Sequence, residues 1–195
     1  MRALATAALA TATATLVLAA SGTATQALAD NQPAAPTTLA AHCGNTRIDQ
    51  TAPVITRDNI LIHAPLHTIW KIQTDVEKWP TWQPDVVTVV KDTPGSLRPG
   101  SVFRWTTEGL NITSTVKTVG HGTCLAWGGP AQGITAIHVW TFTPTRDGIL
   151  VHTEESWTGA PVLANRTVLQ AALDNSLRNW VNNLKHEAET RAAAQ

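Results

Sequence analysis

Alternating apolar and polar residues predict a run of β-strands through the middle of the chain. Six segments carry this pattern between turn residues: "PVITRDNILIHAP", "VVTVVKD", "SVFRWTTE", "NITSTVKTV", "TCLAWGG" and the two-stranded "AIHVWTFTPTRDGILVHTEESW". Gly128-Gly129-Pro130 predicts a break after the fifth strand, and Asp147-Gly148 predicts the turn of the last hairpin. The pattern therefore indicates about seven strands, most of them in an antiparallel meander.

Two regions have helical spacing instead. After the first strand, "LHTIWKIQT" predicts a helix to about Thr74, followed by a short second helix that Pro80 stops. After Pro161 the pattern stays helical for about 25 residues, with one apolar stripe at Leu169, Leu173, Leu177, Trp180, Leu184 and Ala188. Because that stripe must be buried, the order of elements predicts an α+β fold in which the long helix packs on the sheet.

The last hairpin combines large apolar residues with a histidine and a glutamate. Two registers are open: one places His138 opposite Glu155, and the other places His138 opposite Trp157. Both put the same side chains on one face: His138, Trp140, Phe142, Val151, Thr153, Glu155 and Trp157. This face is predicted to be the inner one, and the outer face, which suits water, receives Thr141, Thr143, His152, Glu154 and Ser156.

Alternation on the other strands extends the inner face into a predicted internal cavity. An apolar wall with a few convergent polar groups is typical of a small-molecule site, and indole rings can stack on a flat ligand. The predicted ligand-binding residues are Phe103, Trp105, Ser114, Trp127, Trp140, Thr153 and Trp157. Trp70 and Trp180 are predicted to be core residues, whereas Trp79 and Trp82 are predicted to cap the end of the sheet.

His138 and Glu155 are the candidate catalytic residues, and three interpretations of the pair stay open. It is a structural ion pair, a polar pair that lines a binding cavity, or an acid–base pair. Burial raises the pKa of a carboxyl and lowers that of an imidazole, so such a pair can share one proton near neutrality. That property suits enolisation, ring closure with loss of water, or hydrolysis.

Composition excludes several function classes. The 195 residues contain 14 Lys and Arg against 14 Asp and Glu, without a basic run, so no nucleic-acid partner is predicted. The eight Trp are accompanied by no Tyr, which removes a phenol as a catalytic acid. The seven His lack zinc-site spacing, so neither a metal nor another cofactor is predicted, and a monomer or weak dimer is expected.

The N-terminus has the pattern of an exported protein. Arg2, an uncharged stretch and Ala27-Leu28-Ala29 predict a signal peptide over residues 1–29 with cleavage before Asp30. A spacer over 30–50 and one domain over 51–195 follow, so the protein is expected in the secreted or cell-envelope fraction, without stable membrane insertion. An uncleaved anchor is the alternative, which the Ala- and Thr-rich stretch disfavours.

The chain contains two cysteines, Cys43 and Cys124. An even pair in an exported protein favours an intramolecular disulfide between them, and two buried free thiols are the alternative.

The segments "IHAP", "IWKIQTDVEKWPTWQPDV", "FRWTT", "ITST", "LAWGG", "GITAIHVWTF" and "VHTEESWTG" together resemble a known superfamily. Their order and spacing are similar to the SRPBCC or START-like proteins, of birch-pollen-allergen fold, and within them to the polyketide cyclase/dehydrase group. The resemblance covers about Pro53 to Arg191. It implies a helix-grip fold, in which a curved sheet wraps the C-terminal helix around a cavity. Members bind sterols, lipids, hormones or polyketides, and some act on them.

The sequence therefore leaves three functions open. The favoured one is an exported protein that binds a small apolar or aromatic molecule, polyketide- or lipid-like, in the internal cavity. The alternative is a cyclase/dehydrase or hydrolase that uses His138 and Glu155. A lipid-contacting module at the cell envelope is the third, and the chain lacks the basic amphipathic helix that such a module needs.

Overall fold

The computed structural model of the chain describes residues 42–107 and 109–194. The seven strands are β1 (Val54–Ile62), β2 (Val86–Lys91), β3 (Val102–Thr107), β4 (Leu110–Gly120), β5 (Cys124–Ala131), β6 (Ile134–Thr145) and β7 (Gly148–Thr158). The helices are α1 (Leu66–Thr74), a 3-10 helix (Val76–Thr81), α2 (Ala160–Ala164) and α3 (Arg166–Ala193). The predicted signal peptide (1–29) and the start of the predicted spacer (30–41) lie outside the described residues.

The strands form one antiparallel sheet in the order β1-β7-β6-β5-β4-β3-β2. From β2 to β7 each strand pairs with the next one along the chain, and β7, the last strand, also pairs with β1, the first. Helices α1 and α3 pack together, and α3 lies along β1. The α+β helix-grip fold that the sequence predicted is therefore confirmed.

Helix α3 also covers the free edge of the sheet. The side-chain amide of Gln170 bonds both the N–H and the C=O of Ile55, at 3.3 and 3.0 Å. Farther along, Lys185 Nζ donates to the carbonyl oxygen of Leu61 at 2.6 Å, and Glu189 Oε1 accepts from the N–H of His63 at 2.8 Å. These bonds occupy main-chain groups of β1 and of His63, just after it, that an edge strand would otherwise offer to another chain.

The predicted break at Gly128-Gly129-Pro130 is wrong, because β5 runs through it to Ala131. The glycines permit a close approach between strands. A Cβ on Gly129 would lie 2.0 Å from the carbonyl oxygen of Thr113, and one on Gly128 would lie 2.3 Å from that of Ala136. The turn instead lies at Gln132-Gly133, where both residues have positive φ, as a tight hairpin turn requires.

The last hairpin takes one of the two predicted registers. Thr145 pairs with Gly148, so the loop is Arg146-Asp147, one residue earlier than the predicted turn at Asp147-Gly148, and His138 lies opposite Glu155. The register that would place His138 opposite Trp157 is excluded.

The long C-terminal helix is divided near its start. Asn165, with φ −133° and ψ 34°, leaves the helical region and separates α2 from the 28 residues of α3. The sequence pattern is helical on both sides of this residue, which is why it predicted a single helix.

A segment before β1 covers part of the outer face of the sheet. Cys43 and Ile48 are buried there against Ala126 and Val139, so residues 42–50 pack onto the domain where a spacer was predicted. Cys43 and Cys124 form a disulfide with Cα atoms 5.4 Å apart, which confirms the predicted pairing.

The same segment corrects the prediction for the outer face. Glu154 and Ser156 were predicted to suit water, but they are 0% and 2% exposed. Ser156 Oγ accepts from the N–H of Asp49 at 3.0 Å, and Glu154 is paired with Arg57 at 3.0 Å. Alternation identified the face but carried no information about what covers it.

The disulfide should supply a large part of the stability of the domain. It links residues 81 positions apart, and the chain-entropy model gives about 4–5 kcal/mol for a loop of that size. The double variant Cys43→Ala, Cys124→Ala should lose about this amount in urea unfolding of the oxidised proteins. Thiol titration of the unreduced parent is the control, and two free thiols per chain would contradict the pairing.

Candidate functional site

Two neighbouring strands bring a buried histidine and glutamate together on the inner face of the sheet. His138 on β6 is directly opposite Glu155 on β7. Its Nδ1 lies 3.1 Å from Glu155 Oε2, and the side chains are 3% and 13% exposed. The pair thus sits in the interior, with the carboxyl group nearer to solvent.

The surrounding hydrogen bonds favour one arrangement of protons. The Thr153 hydroxyl donates to the carbonyl oxygen of Val139 at 3.3 Å, so it accepts the Nε2–H of His138 at 2.7 Å. Nδ1 of a neutral imidazole is then an acceptor, and the proton shared with Glu155 comes from the carboxyl group. Trp157 Nε1 donates to the other carboxyl oxygen at 2.7 Å.

Burial shifts both pKa values in the direction that keeps the pair uncharged. Desolvation lowers the pKa of His138 from 6.5 to about 3. It raises the pKa of Glu155 from 4.5 to about 7, against the opposing effect of the Trp157 N–H. A carboxyl group that titrates near neutrality can serve as hydrogen-bond donor, acid or base at physiological pH.

The predicted aromatic residues do share the inner face with this pair. The ring centroid of His138 lies 4.8 Å from that of Trp127 and 5.2 Å from that of Trp140. Phe103 is packed edge-on to Trp127 at 6.1 Å. Trp105 donates its N–H to Ser114 Oγ at 3.0 Å, so Ser114 already has a partner within the protein.

Trp157 is only partly in this group. Its ring packs with a second apolar cluster near the start of α3, which includes Leu173 and Leu177. Through its N–H it remains bonded to Glu155. Trp157 therefore lies at the boundary between the second cluster and the side chains around Glu155.

Two tryptophans from the helices project into the space where an internal cavity was predicted. Trp79 was predicted to cap the end of the sheet, but it is 0% exposed and has Phe103, Trp105 and Trp127 around it at 5.5–5.7 Å. Trp180 of α3 packs edge-on to Trp79 at 4.9 Å. The inner face is thus covered by an aromatic core, which we define as Phe103, Trp79, Trp82, Trp105, Trp127, Trp140 and Trp180.

The aromatic core also contains polar atoms that sequence reasoning missed. Gln73 of α1 is fully buried, and its Oε1 accepts the N–H of Trp180 at 3.3 Å. Its own Nε2, together with Nε1 of Trp140 and Nε1 of Trp82, is buried without a hydrogen-bond partner among residues 42–107 and 109–194. A helical stripe in the sequence gave no signal that Gln73 faces inward among tryptophans.

A separate cleft opens at one end of the sheet, where α1, the β2–β3 connection and the β4–β5 turn meet. Its volume is about 420 Å³. Trp70, Lys71, Lys91, Leu97 and His121 are among the residues that line it. None of the predicted site residues is among them.

Within residues 42–107 and 109–194, no group of three or more His, Cys, Asp and Glu side chains has the geometry to hold a metal ion. No helix in the same part of the chain is both long and apolar enough to cross a membrane.

Stability should reveal the shifted pKa values. His138 stabilises the fold fully above pH 6.5 and loses this contribution as the pH falls towards 3. Glu155 makes its full contribution to stability below pH 4.5, and this contribution is lost as the pH rises towards 7. Their opposite slopes cancel between these limits, so the net contribution is highest from pH 4.5 to 6.5.

The reference is the double variant His138→Leu, Glu155→Met, which should keep the fold within a few kcal/mol. The free energy of unfolding of the parent minus that of the double variant should be flat across that window. It should fall by up to about 2 kcal/mol on the acid side and by less on the alkaline side. Each single variant should be less stable than the double, because it leaves one buried polar group unpaired. A difference that does not vary with pH would refute the shifts.

Solved structures with the same fold are numerous, at low sequence identity. A hypothetical protein from Helicobacter pylori is 17% identical with a TM-score of 0.65, covering 72% of this chain and 91% of that one. A START superfamily protein from Mycobacterium smegmatis is 15% identical with a TM-score of 0.60, covering 70% and 97%. The Zhui aromatase/cyclase from a Streptomyces species is 17% identical with a TM-score of 0.60, covering 70% and 94%.

Among curated proteins none matches the chain. The family model described as polyketide cyclase / dehydrase and lipid transport matches residues 53–189, which span all seven strands and most of α3. The chain therefore belongs to the polyketide cyclase / dehydrase and lipid transport family.

Proposed function

We propose that the protein is exported and binds a small apolar or aromatic molecule, polyketide- or lipid-like, between the sheet and α3. The ligand would enter the aromatic core by displacing ring-to-ring contacts. The indoles of Trp105, Trp127 and Trp140 would hold its apolar body, with Trp157 at the boundary. His138 and Glu155 would orient its polar group.

The unpaired N–H donors inside the aromatic core are the observation that carries this proposal. Nε1 of Trp140, Nε1 of Trp82 and Nε2 of Gln73 all belong to residues that contact Trp180. A buried donor without an acceptor destabilises the fold by about 1–3 kcal/mol. Three such donors close together would therefore be a large loss of stability for a core with a purely structural role. A ligand that carries acceptor oxygens would satisfy them.

Family and sequence support the rest of the proposal. The family description covers both cyclase or dehydrase activity and lipid transport, and each requires an apolar ligand. Export is supported by the signal-peptide pattern of residues 1–29 and by the Cys43–Cys124 disulfide, since disulfides persist in oxidising compartments.

Two probes with the same carbon skeleton test this function: 9-fluorenone, which has a carbonyl acceptor, and fluorene, which has none. The protein is recovered from culture medium, where export predicts a mature chain that begins at Asp30 by intact mass. Fluorenone should quench tryptophan fluorescence saturably and raise the melting temperature. Trp140→Phe keeps an aromatic ring but removes an unpaired donor, so it should weaken fluorenone binding about tenfold and fluorene binding by much less.

Quenching by neither probe would refute binding in the aromatic core. Equal weakening of both probes by Trp140→Phe would instead show that the ring, rather than its N–H, contributes the affinity.

A second function, acid–base catalysis, is favoured by the raised pKa of Glu155. A carboxyl group with a pKa of about 7, 13% exposed and bonded to a neutral imidazole, can remove a proton from carbon next to a ketone. The enolate formed in that step is the starting point for ring closure or loss of water.

Deuterium exchange tests this chemistry directly. The protein should accelerate exchange at the α-carbon of 2-tetralone in D₂O, followed by NMR, with a rate that rises through about pH 7. Glu155→Gln should return the rate to that of buffer, because the amide cannot accept the proton. Exchange that survives in Glu155→Gln would assign the reaction to another group.

A further inference from the structure

The cleft beside α1 has the size and wall chemistry of a second ligand site. Its volume of about 420 Å³ lies within the range of small-molecule pockets. Trp70, Leu97 and Val119 form apolar walls, and Leu97 and Val119 are half-buried. The His121 ring packs on Trp70 with centroids 5.4 Å apart, which extends the aromatic wall towards solvent.

The cleft offers two ammonium groups, those of Lys71 and Lys91. Each has a carboxylate neighbour, Asp75 in the lining and Glu77 beside it. The ammonium group of Lys91 is held in place, because it donates to the carbonyl oxygen of Gly95 at 2.7 Å and lies 3.3 Å from Glu77 Oε2. Its side chain is only 17% exposed, and an ammonium has three donors, so one N–H is left for a ligand.

Lys71 is the more exposed of the two lysines. Its side chain is 73% exposed, and its ammonium lies 3.6 Å from Asp75 Oδ2. An exposed pair of this kind contributes about 0–1 kcal/mol, so a ligand can replace it at little cost. A carboxylate in the cleft would then have Lys71 on one side and the fixed Lys91 on the other.

We infer that this cleft binds a small amphipathic organic acid, with its carboxylate between Lys71 and Lys91 and its apolar body against Trp70, Leu97 and Val119. The site shares no residue with the predicted inner-face site, so it does not depend on the proposed function. It gives the protein a place for an acidic molecule that the uncharged core around His138 would reject.

The test compares 2-naphthoate with 2-naphthamide, which have the same ring but differ in charge. Binding is followed by backbone amide chemical shifts of the full mature chain. Naphthoate should shift the signals of Thr74, Gly95, Ser96 and His121, and naphthamide should bind much more weakly. Lys71→Glu should weaken naphthoate about tenfold, since it replaces an attraction by a repulsion. Added salt should also weaken it.

Lys78→Glu is the matched control, because Lys78 is exposed on the 3-10 helix and does not line the cleft. It makes the same change in net charge and should alter naphthoate affinity by less than about twofold. Unchanged melting temperatures of both variants exclude unfolding as the cause.

Equal effects of the two variants, or equal binding of the two probes, would overturn the inference. Naphthoate shifts confined to β6 and β7 would also overturn it while supporting the inner-face site. Conversely, failure of fluorenone to bind would reject the proposed function and leave the cleft result standing.

Discussion

The packing of Trp180 against the sheet is the interaction on which the rest of the structure depends. This one side chain on α3 contacts the 3-10 helix through Trp79 at 4.9 Å, β3 through Trp105 at 5.7 Å, and β6 through Trp140 at 6.2 Å. Its N–H is bonded to Gln73 of α1. Burial of an indole of 150–250 Å² stabilises a fold by about 4–6 kcal/mol. The burial of Trp180 therefore makes one large contribution to stability and holds four elements together.

That packing also determines the chemistry of the inner face. Because Trp127, Trp140 and Trp180 surround His138 at 4.8–6.2 Å, the imidazole has little access to water and its pKa falls. Glu155, slightly more exposed, titrates near neutrality for the same reason. An apolar environment thus favours the uncharged pair, so binding of the proposed apolar ligand would not first require the separation of an ion pair.

The outer face follows a different principle. There the segment before β1 is linked to β5 by the disulfide and packs on the sheet. Glu154 is buried on this face and is paired with Arg57 at 3.0 Å. Arg57 Nη2 in turn donates to Gln50 Oε1 at 2.6 Å, so the covering segment takes part in the same polar network. The sheet is therefore buried on both sides near β6 and β7, and the cleft beside α1 is a place where charged and apolar side chains meet solvent.

Local periodicity was sufficient to predict the seven strands, the apolar stripe of α3 and the shared face of His138 and Glu155. These features repeat every two or three to four residues, so neighbouring positions report them. The disulfide also followed from the sequence, because the signal-peptide pattern predicted export and two cysteines have one possible intramolecular pairing. The turn after β5 did not, since a glycine that lets backbones approach closely looks the same in sequence as a glycine that ends a strand.

Only the tertiary structure decided how the inner face is filled and what the outer face meets. Trp79 enters the aromatic core because the 3-10 helix is folded back over β3 and β5, and Gln73 is buried because α1 packs on α3. Glu154 is buried on the outer face, where the neighbouring Ser156 is bonded to Asp49, 107 residues away in the sequence. The choice between two hairpin registers was likewise left open by alternation. The burial of Trp79, Gln73 and Glu154 depends on contacts between distant elements, and the register depends on which residues of two neighbouring strands pair. A pattern that repeats every two or four residues contains neither.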